Sequence, residues 1–162
     1  VSVLQGGVLA EKVREAFANL SFREQTLLEK RCAICMTCGR VAPLSERASF
    51  EDLAIEFESS SPRTAERAYR RAVEKLTLNL VELCELHVVR IECVASGSYR
   101  YQADNEGDWG EFMLDAATGE LQITALAEMD TVKTHRFAEQ AARYLRAHAD
   151  EKLPKKILIA FE

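Results

Sequence analysis

Residues 50–76 read FEDLAIEFESSSPRTAERAYRRAVEKL, two apolar-periodic segments separated by three serines and a proline. Ser49 stands where a helix N-cap belongs, and Glu51 and Asp52 fill the turn after it, where the helix dipole favours negative charge. The spacing predicts a short helix carrying Leu53, Ala54 and Phe57. A second start follows at Ser61-Pro62, because proline suits the first helical position. From there Ala65, Tyr69, Ala72, Val73, Leu76, Leu80 and Leu83 hold one apolar stripe to about Leu86. Two helices joined by a tight polar turn make either a helix-turn-helix or a hairpin with a charged outer face. A helix-turn-helix needs a third helix to pack against.

The upstream segment supplies candidates. Val8, Leu9, Val13, Ala16, Phe17 and Leu20 recur at three- and four-residue spacings, the stripe of an amphipathic helix over residues 8–19. Ser21-Phe-Arg-Glu24 fits a capping box, in which serine and glutamate each satisfy an orphan backbone amide. A second helix is therefore predicted from Phe22 to about Cys35, and Gly39, Pro43 and Ser45-Glu46-Arg47 mark a loop beyond it.

Downstream of His87 the periodicity changes. Residues 88–94, VVRIECV, are rich in β-branched side chains and suggest a strand or strand-like linker, placing a domain boundary within residues 87–97. Residues 99–103, 109–114 and 120–124 alternate with period two, and Asp115-Ala-Ala-Thr-Gly119 is hairpin-loop chemistry. A helix from about Thr131 to Ala149, with Phe137, Ala141, Tyr144, Leu145 and His148 near one face, precedes a closing strand at residues 157–161. The expectation is an α+β chain in two parts: a helical helix-turn-helix domain over residues 1–86, and an acidic β-β-β-α-β domain over 98–162.

The helical half resembles region 4 of bacterial sigma factors. The likeness lies in Ala16-Phe-Ala-Asn-Leu20-Ser-Phe-Arg23-Glu24-Gln25-Thr-Leu27-Leu28-Glu-Lys-Arg31, in Phe50-Glu51-Asp52-Leu53-Ala54, and in the Arg-rich helix ending Ala72-Val-Glu-Lys75-Leu76. It covers about residues 8–80. That family usually has glycine at the turn where this chain has Glu58, and the Ser59-Ser60-Ser61 segment is one residue longer. Nothing here resembles the family's regions 2 or 3, so the likeness reaches a region-4-like module only. It implies a transcription-related protein that binds double-stranded DNA, with RNA polymerase as a further partner. The helix from Pro62 would enter the major groove, with Arg63, Thr64 and Arg67 near base edges and Ser60, Ser61, Arg70 and Arg71 on phosphates. The residues alone leave a rival open, a protein-interaction module in which the helical half docks on a partner without reading DNA.

Charge is unevenly spread along this chain of 162 residues and net charge −5. Between Arg63 and Lys75 five basic residues face two acidic ones, whereas residues 104–130 hold eight acidic residues and no lysine or arginine. A basic stripe on an acidic chain is compatible with DNA, since counterion release depends on charges at the contact surface. There is no run of eighteen apolar residues, and the uncharged stretch Val1–Ala10 lacks the basic flank of a signal peptide, so no membrane partner and a cytoplasmic location are expected.

Five cysteines, three of them within Cys32–Cys38, make a poor disulfide framework and are read as reduced, buried thiols. Cys35-x-x-Cys38-Gly39 also has the form of a zinc knuckle, to which Cys84 and His87 would add two ligands in a tetrahedral Cys₃His site. Asp104, Glu106 and Asp108 lack the glycine and glutamate of a calcium loop and read as a solvated turn. Trp109, Tyr99, Tyr101 and Phe112 read as sheet core. No nucleophile–base constellation or phosphate loop appears, so neither an enzyme nor a cofactor is expected.

Overall fold

The structure, a computed structural model, describes residues 8–162, so most of the uncharged opening stretch lies outside the described residues. The chain divides into two units, residues 1–85 and 86–162, and the predicted α+β class holds, with helices first and a sheet after them.

In the first unit α1 (Val8–Ala18), α2 (Phe22–Cys32), α3 (Phe50–Glu56) and α4 (Pro62–Cys84) are joined by loops, one containing a 3₁₀ turn at Leu44–Glu46. At 23 residues, α4 is about 34 Å long and serves as the spine against which α1, α2 and α3 all pack. Two small clusters hold the unit together. Leu27, Leu53, Ala54 and Ala65 lock α2, α3 and the start of α4. Phe17, Leu20, Leu28 and Ala72 lock α1, α2 and the middle of α4. Alanine at positions 65 and 72 lets helix backbones approach closely, which is why so few large side chains suffice.

The Arg23-Glu24-Gln25 triplet explains how these helices keep their positions. Glu24 closes the predicted capping box on Ser21, accepting from its amide at 2.8 Å, and also accepts from Lys75 Nζ of α4 at 3.1 Å. The Ser21 amide, with Lys75 adding to it, holds the Glu24 carboxyl below its usual range. Arg23 donates to the Phe57 carbonyl at 3.1 Å, satisfying the C-terminal end of α3, with its guanidinium over the Phe57 ring. Gln25 Nε2 donates to the carbonyls of Phe17 and Leu20 at 3.1 Å, satisfying the end of α1.

Helix α2 stops at Cys32, three residues before the predicted Cys35. Ala33 adopts a left-handed conformation at φ 55°, and both its amide and that of Ile34 bond back to the Glu29 carbonyl. Between α3 and α4, Glu58 is left-handed at φ 50°, and the Ser59 amide reaches back to the Ala54 carbonyl at 2.8 Å. Glu58 thus takes the backbone conformation that glycine would take at this turn.

The second unit is a five-stranded antiparallel sheet in the order β4-β3-β2-β1-β5. Strands β1 (His87–Ala95), β2 (Ser98–Ala103), β3 (Gly110–Leu114) and β4 (Leu121–Ala125) form a meander, after which α5 (Arg136–Ala147) returns the chain so that β5 (Lys156–Phe161) pairs with β1. The segment read from sequence as a strand or strand-like linker within 87–97 is a full strand, β1, paired on both sides, and the order is β-β-β-β-α-β. Its mixed pattern arises because Val88 and Val89 are both buried although they point to opposite faces, which hides the strand alternation.

Phe137, Ala138, Ala141, Ala142 and Leu145 of α5 cover a sheet face formed by Val89, Ile91, Tyr101, Ala103, Phe112 and Leu114. Helix α5 starts at Arg136, later than the predicted Thr131, because Asp130 anchors its first turn. Asp130 accepts from the amides of Phe137 and Ala138 at 3.1 Å each, and from the Tyr101 hydroxyl at 2.9 Å. Tyr101 and Phe112 are core as expected and Tyr99 stacks on Phe112, but Trp109 lies half-buried beneath Arg100 instead of joining them.

Candidate nucleic-acid interface

The basic face of α4 follows from helical spacing. Ala65, Tyr69, Ala72 and Leu76 turn inward, so Arg63, Arg67, Arg70 and Arg71 fall on the opposite side. Arg63, Arg67, Arg70 and Arg71 are all exposed. Arg70 is engaged by Glu66 through two hydrogen bonds at 2.8 and 3.2 Å, the i,i+4 pair of an ordinary solvated helix face. Arg63, Arg67 and Arg71 carry no ion pair among the described residues. Three unpaired guanidiniums on one helix face make a short cationic stripe with donors in a planar fork.

The N-terminus of α4 lies at one end of that stripe. Ser61 caps it, accepting from the Thr64 amide at 3.3 Å, and Pro62 occupies the first turn. Thr64 Oγ1 lies 3.0 Å from Ser60 Oγ and 3.1 Å from Ser61 Oγ, so these hydroxyls form one cluster. Ser61 is half-buried and occupied as a cap, whereas Ser60 and Thr64 are exposed. No acidic residue stands in the first turn of α4, in contrast to α2 and α3, which carry Glu24 and the Glu51–Asp52 pair. The positive end of the helix dipole is therefore uncompensated by side chains and joins the arginine stripe.

All seven residues predicted for DNA contact thus fall on the first three turns of α4 or the turn before it. Sequence reasoning missed what fixes their presentation: Arg23, Lys30 and Arg31, basic residues of α2 turned toward α3 and its approach. Lys30 pairs with Glu56, and Arg31 donates to the Ala48 carbonyl at 3.0 Å with its guanidinium over Phe50. Their i, i+7, i+8 spacing in α2 was the available signal.

The four-residue zinc site is not formed. Cys84 ends α4, the His87 ring lies 3.0 Å from Asp104 Oδ2, and among the described residues no group of three or more His, Cys, Asp or Glu side chains is placed to hold a metal ion. Nor are the thiols fully buried. Cys32, Cys35, Cys84 and Cys93 are half-buried and Cys38 is exposed. Cys32 Sγ lies 3.6 Å from the Tyr69 hydroxyl, and burial with this contact pushes Tyr69 up to about 12. No described helix is long and apolar enough to cross a membrane.

The chain matches no family model, no curated protein and no solved structure.

Proposed function

We propose that the first unit is a helix-turn-helix that binds double-stranded DNA in transcription, in the cytoplasm, with α4 as the helix presented to the major groove. The observation that carries this reading is the unpaired Arg63, Arg67 and Arg71 stripe running from an acid-free helix N-terminus. The long helix is braced by α1, α2 and α3, so the stripe is presented on a fixed surface. In this reading α3 lies across the sugar–phosphate backbone, Arg63, Thr64 and Arg67 reach base edges, and Ser60 and Arg71 meet phosphates. Arg70 joins them by exchanging Glu66 for a phosphate, and Ser61 contributes as the cap that orients Thr64. RNA polymerase is the natural second partner if the likeness to sigma region 4 extends to assembly.

Fluorescence anisotropy with a random duplex pool over a salt series tests it. Arg70 and Arg71, the two arginines on phosphates, give a slope of about −2 in log K against log salt. Converting Arg63 and Arg67 to alanine lowers that slope by about 1 for each arginine that contacts phosphate, and relaxes sequence preference at each position where it contacts a base. An unchanged slope and affinity in the double variant would remove α4 from the interface.

The second reading, a protein-docking module, rests on Phe22 and Ile55, which are 83 and 80 % exposed in the same unit. It predicts that Ile55→Asp abolishes capture of RNA polymerase while duplex binding shows no dependence on the arginines.

A further inference from the structure

The last strand of the sheet unit, β5, stands at the edge of the order β4-β3-β2-β1-β5. It pairs with β1 in a register that sets Ile159 opposite Val89 and Ile157 opposite Ile91, and the Cys93 amide donates to the Lys155 carbonyl at 2.9 Å. Residues of an antiparallel strand alternate between exchanging hydrogen bonds with the partner and turning both backbone groups away from it. The Cys93 bond fixes that alternation. Ile157, Ile159 and Phe161 bond to β1, whereas Lys156, Leu158 and Ala160 turn their amides and carbonyls to the open edge. Among the described residues no group bonds to the outward backbone of Leu158 or Ala160.

An open edge is a template for another strand, and sheets blunt it with short strands, bulges, prolines or charge. The opposite edge is blunted in this way: β4 has five residues, and its register with β3 shifts between Glu111 and Phe112. By contrast β5 holds no proline, keeps an unbroken register with β1, and meets charge only at its ends, Lys156 and the following Glu162. Ile157, Ile159 and Phe161 pack on the core yet stay half-buried, so apolar surface lies beside the open backbone.

We propose that β5 pairs antiparallel with β5 of a second copy of the chain, joining two sheets into one across a two-fold axis at Ile159. A second copy is favoured because residues 156–162, KILIAFE, are complementary to themselves when reversed. About Ile159, Lys156 falls opposite Glu162, Ile157 opposite Phe161 and Leu158 opposite Ala160, and symmetry repeats each pair. Outward-turned residues then meet outward-turned residues, as the ladder requires. Neighbouring registers lose this match. Centring on Leu158 sets Pro154, which has no amide hydrogen, against Glu162, and centring on Ala160 sets Glu162 against Leu158. The Lys156 side chain is 81 % exposed despite its 3.3 Å ion pair with Glu92, so it is free to reach across the seam. This inference stands apart from the DNA-binding reading.

The test uses the full chain, in sedimentation equilibrium and in hydrogen exchange at rising concentration. The expected result is a monomer–dimer equilibrium in which the Leu158 and Ala160 amides exchange more slowly as dimer forms, while the amides of β4 do not change. Ala160→Pro removes one outward amide at an exposed edge position, and abolishes the dimer while circular dichroism stays that of the parent. Glu162→Lys sets like charges opposite each other and raises the dissociation constant about tenfold. The swap Lys156→Glu/Glu162→Lys restores opposite charges and returns it to within about threefold of the parent. A chain that stays monomeric at every concentration would leave the edge to a foreign strand. Protection independent of concentration would mean that another segment of the same chain covers it, and a dimer that survives Ala160→Pro would lie elsewhere. Each of these outcomes overturns the proposal, as does a charge swap that dimerises no more tightly than Glu162→Lys alone.

Discussion

Glu58 sits at φ 50° between α3 and α4, where a Cβ meets the following carbonyl and costs about 1–2 kcal/mol relative to a right-handed residue. Glycine removes that strain but gains freedom in the unfolded chain, so Glu58→Gly should stabilise the protein by about 0.5–1 kcal/mol net. A urea titration checks this, the midpoint rising with the slope unchanged. Tyr101 presents the opposite case, a residue whose polar atom is fully used. Its hydroxyl accepts from the Ala127 amide at 3.1 Å and donates to Asp130, inside a core where the ring is wholly buried. Tyr101→Phe leaves the Ala127 amide without its partner and should cost about 1–3 kcal/mol. Burial, with Asp130 adding to it against the Ala127 amide, also pushes the Tyr101 hydroxyl well above the ordinary tyrosine range, as burial raises Tyr69 to about 12. For such a phenol the folded chain retains a proton that the unfolded chain releases. Its contribution is therefore complete below about pH 10 and is lost as pH rises from there toward the folded value. Denaturation across this window should show stability falling by at most about 1.4 kcal/mol per pH unit for each tyrosine, and less in the Tyr69→Phe and Tyr101→Phe proteins.

At the scale of elements, the junction of β3 with the chain entering α5 is packed backbone against backbone. A Cβ placed on Gly110 would lie 2.4 Å from the Ala127 amide nitrogen, 2.5 Å from Tyr101 Cε1 and 2.7 Å from the Ala125 carbonyl oxygen. Two of these neighbours are backbone and cannot turn aside, so Gly110→Ala should destabilise the protein by about 3 kcal/mol, read as a lowered thermal midpoint. From sequence this glycine looked like one more position in an alternating run, because close approach of two backbones leaves no local pattern. The helices were legible for the converse reason. The Ser21–Glu24 capping box and the Ser49 N-cap are written in neighbouring residues, and both form, with Asp52 closing a second box on Ser49. The seven predicted contact residues also gather at the α4 N-terminus, since helical spacing alone puts Arg63 and Arg67 opposite Ala65 and Ala72. Strand β1 was harder to read, because its pairing with β5 joins residues about seventy apart in the chain, and a strand buried in part on both faces loses its alternation. The zinc constellation failed on geometry. Cys84 and His87 have suitable spacing but belong to the end of α4 and the start of β1, where His87 is taken by Asp104.

Across the whole molecule the charge is divided between the units. Residues 1–85 hold twelve Lys and Arg against thirteen Asp and Glu, whereas residues 86–162 hold nine against thirteen, so the sheet unit carries −4 of the net −5. Under the DNA-binding reading the arginine stripe therefore approaches phosphate while a second unit on the same chain is repelled by it. Repulsion of this kind acts through solvent and fades beyond a Debye length, about 8 Å at physiological salt and about 30 Å at 0.01 M. The helical unit has its own two buried clusters and a closed set of caps, which is what a segment needs to fold alone. A protein comprising residues 8–85 should accordingly bind duplex DNA several-fold more tightly than the full chain at about 0.01 M salt, with the difference closing by about 0.15 M. Anisotropy over the same salt series measures both proteins side by side, with circular dichroism confirming that the fragment is helical. A folded fragment that binds more weakly at every salt concentration would mean that the sheet unit adds contacts to DNA, and the acidic half would then be part of recognition.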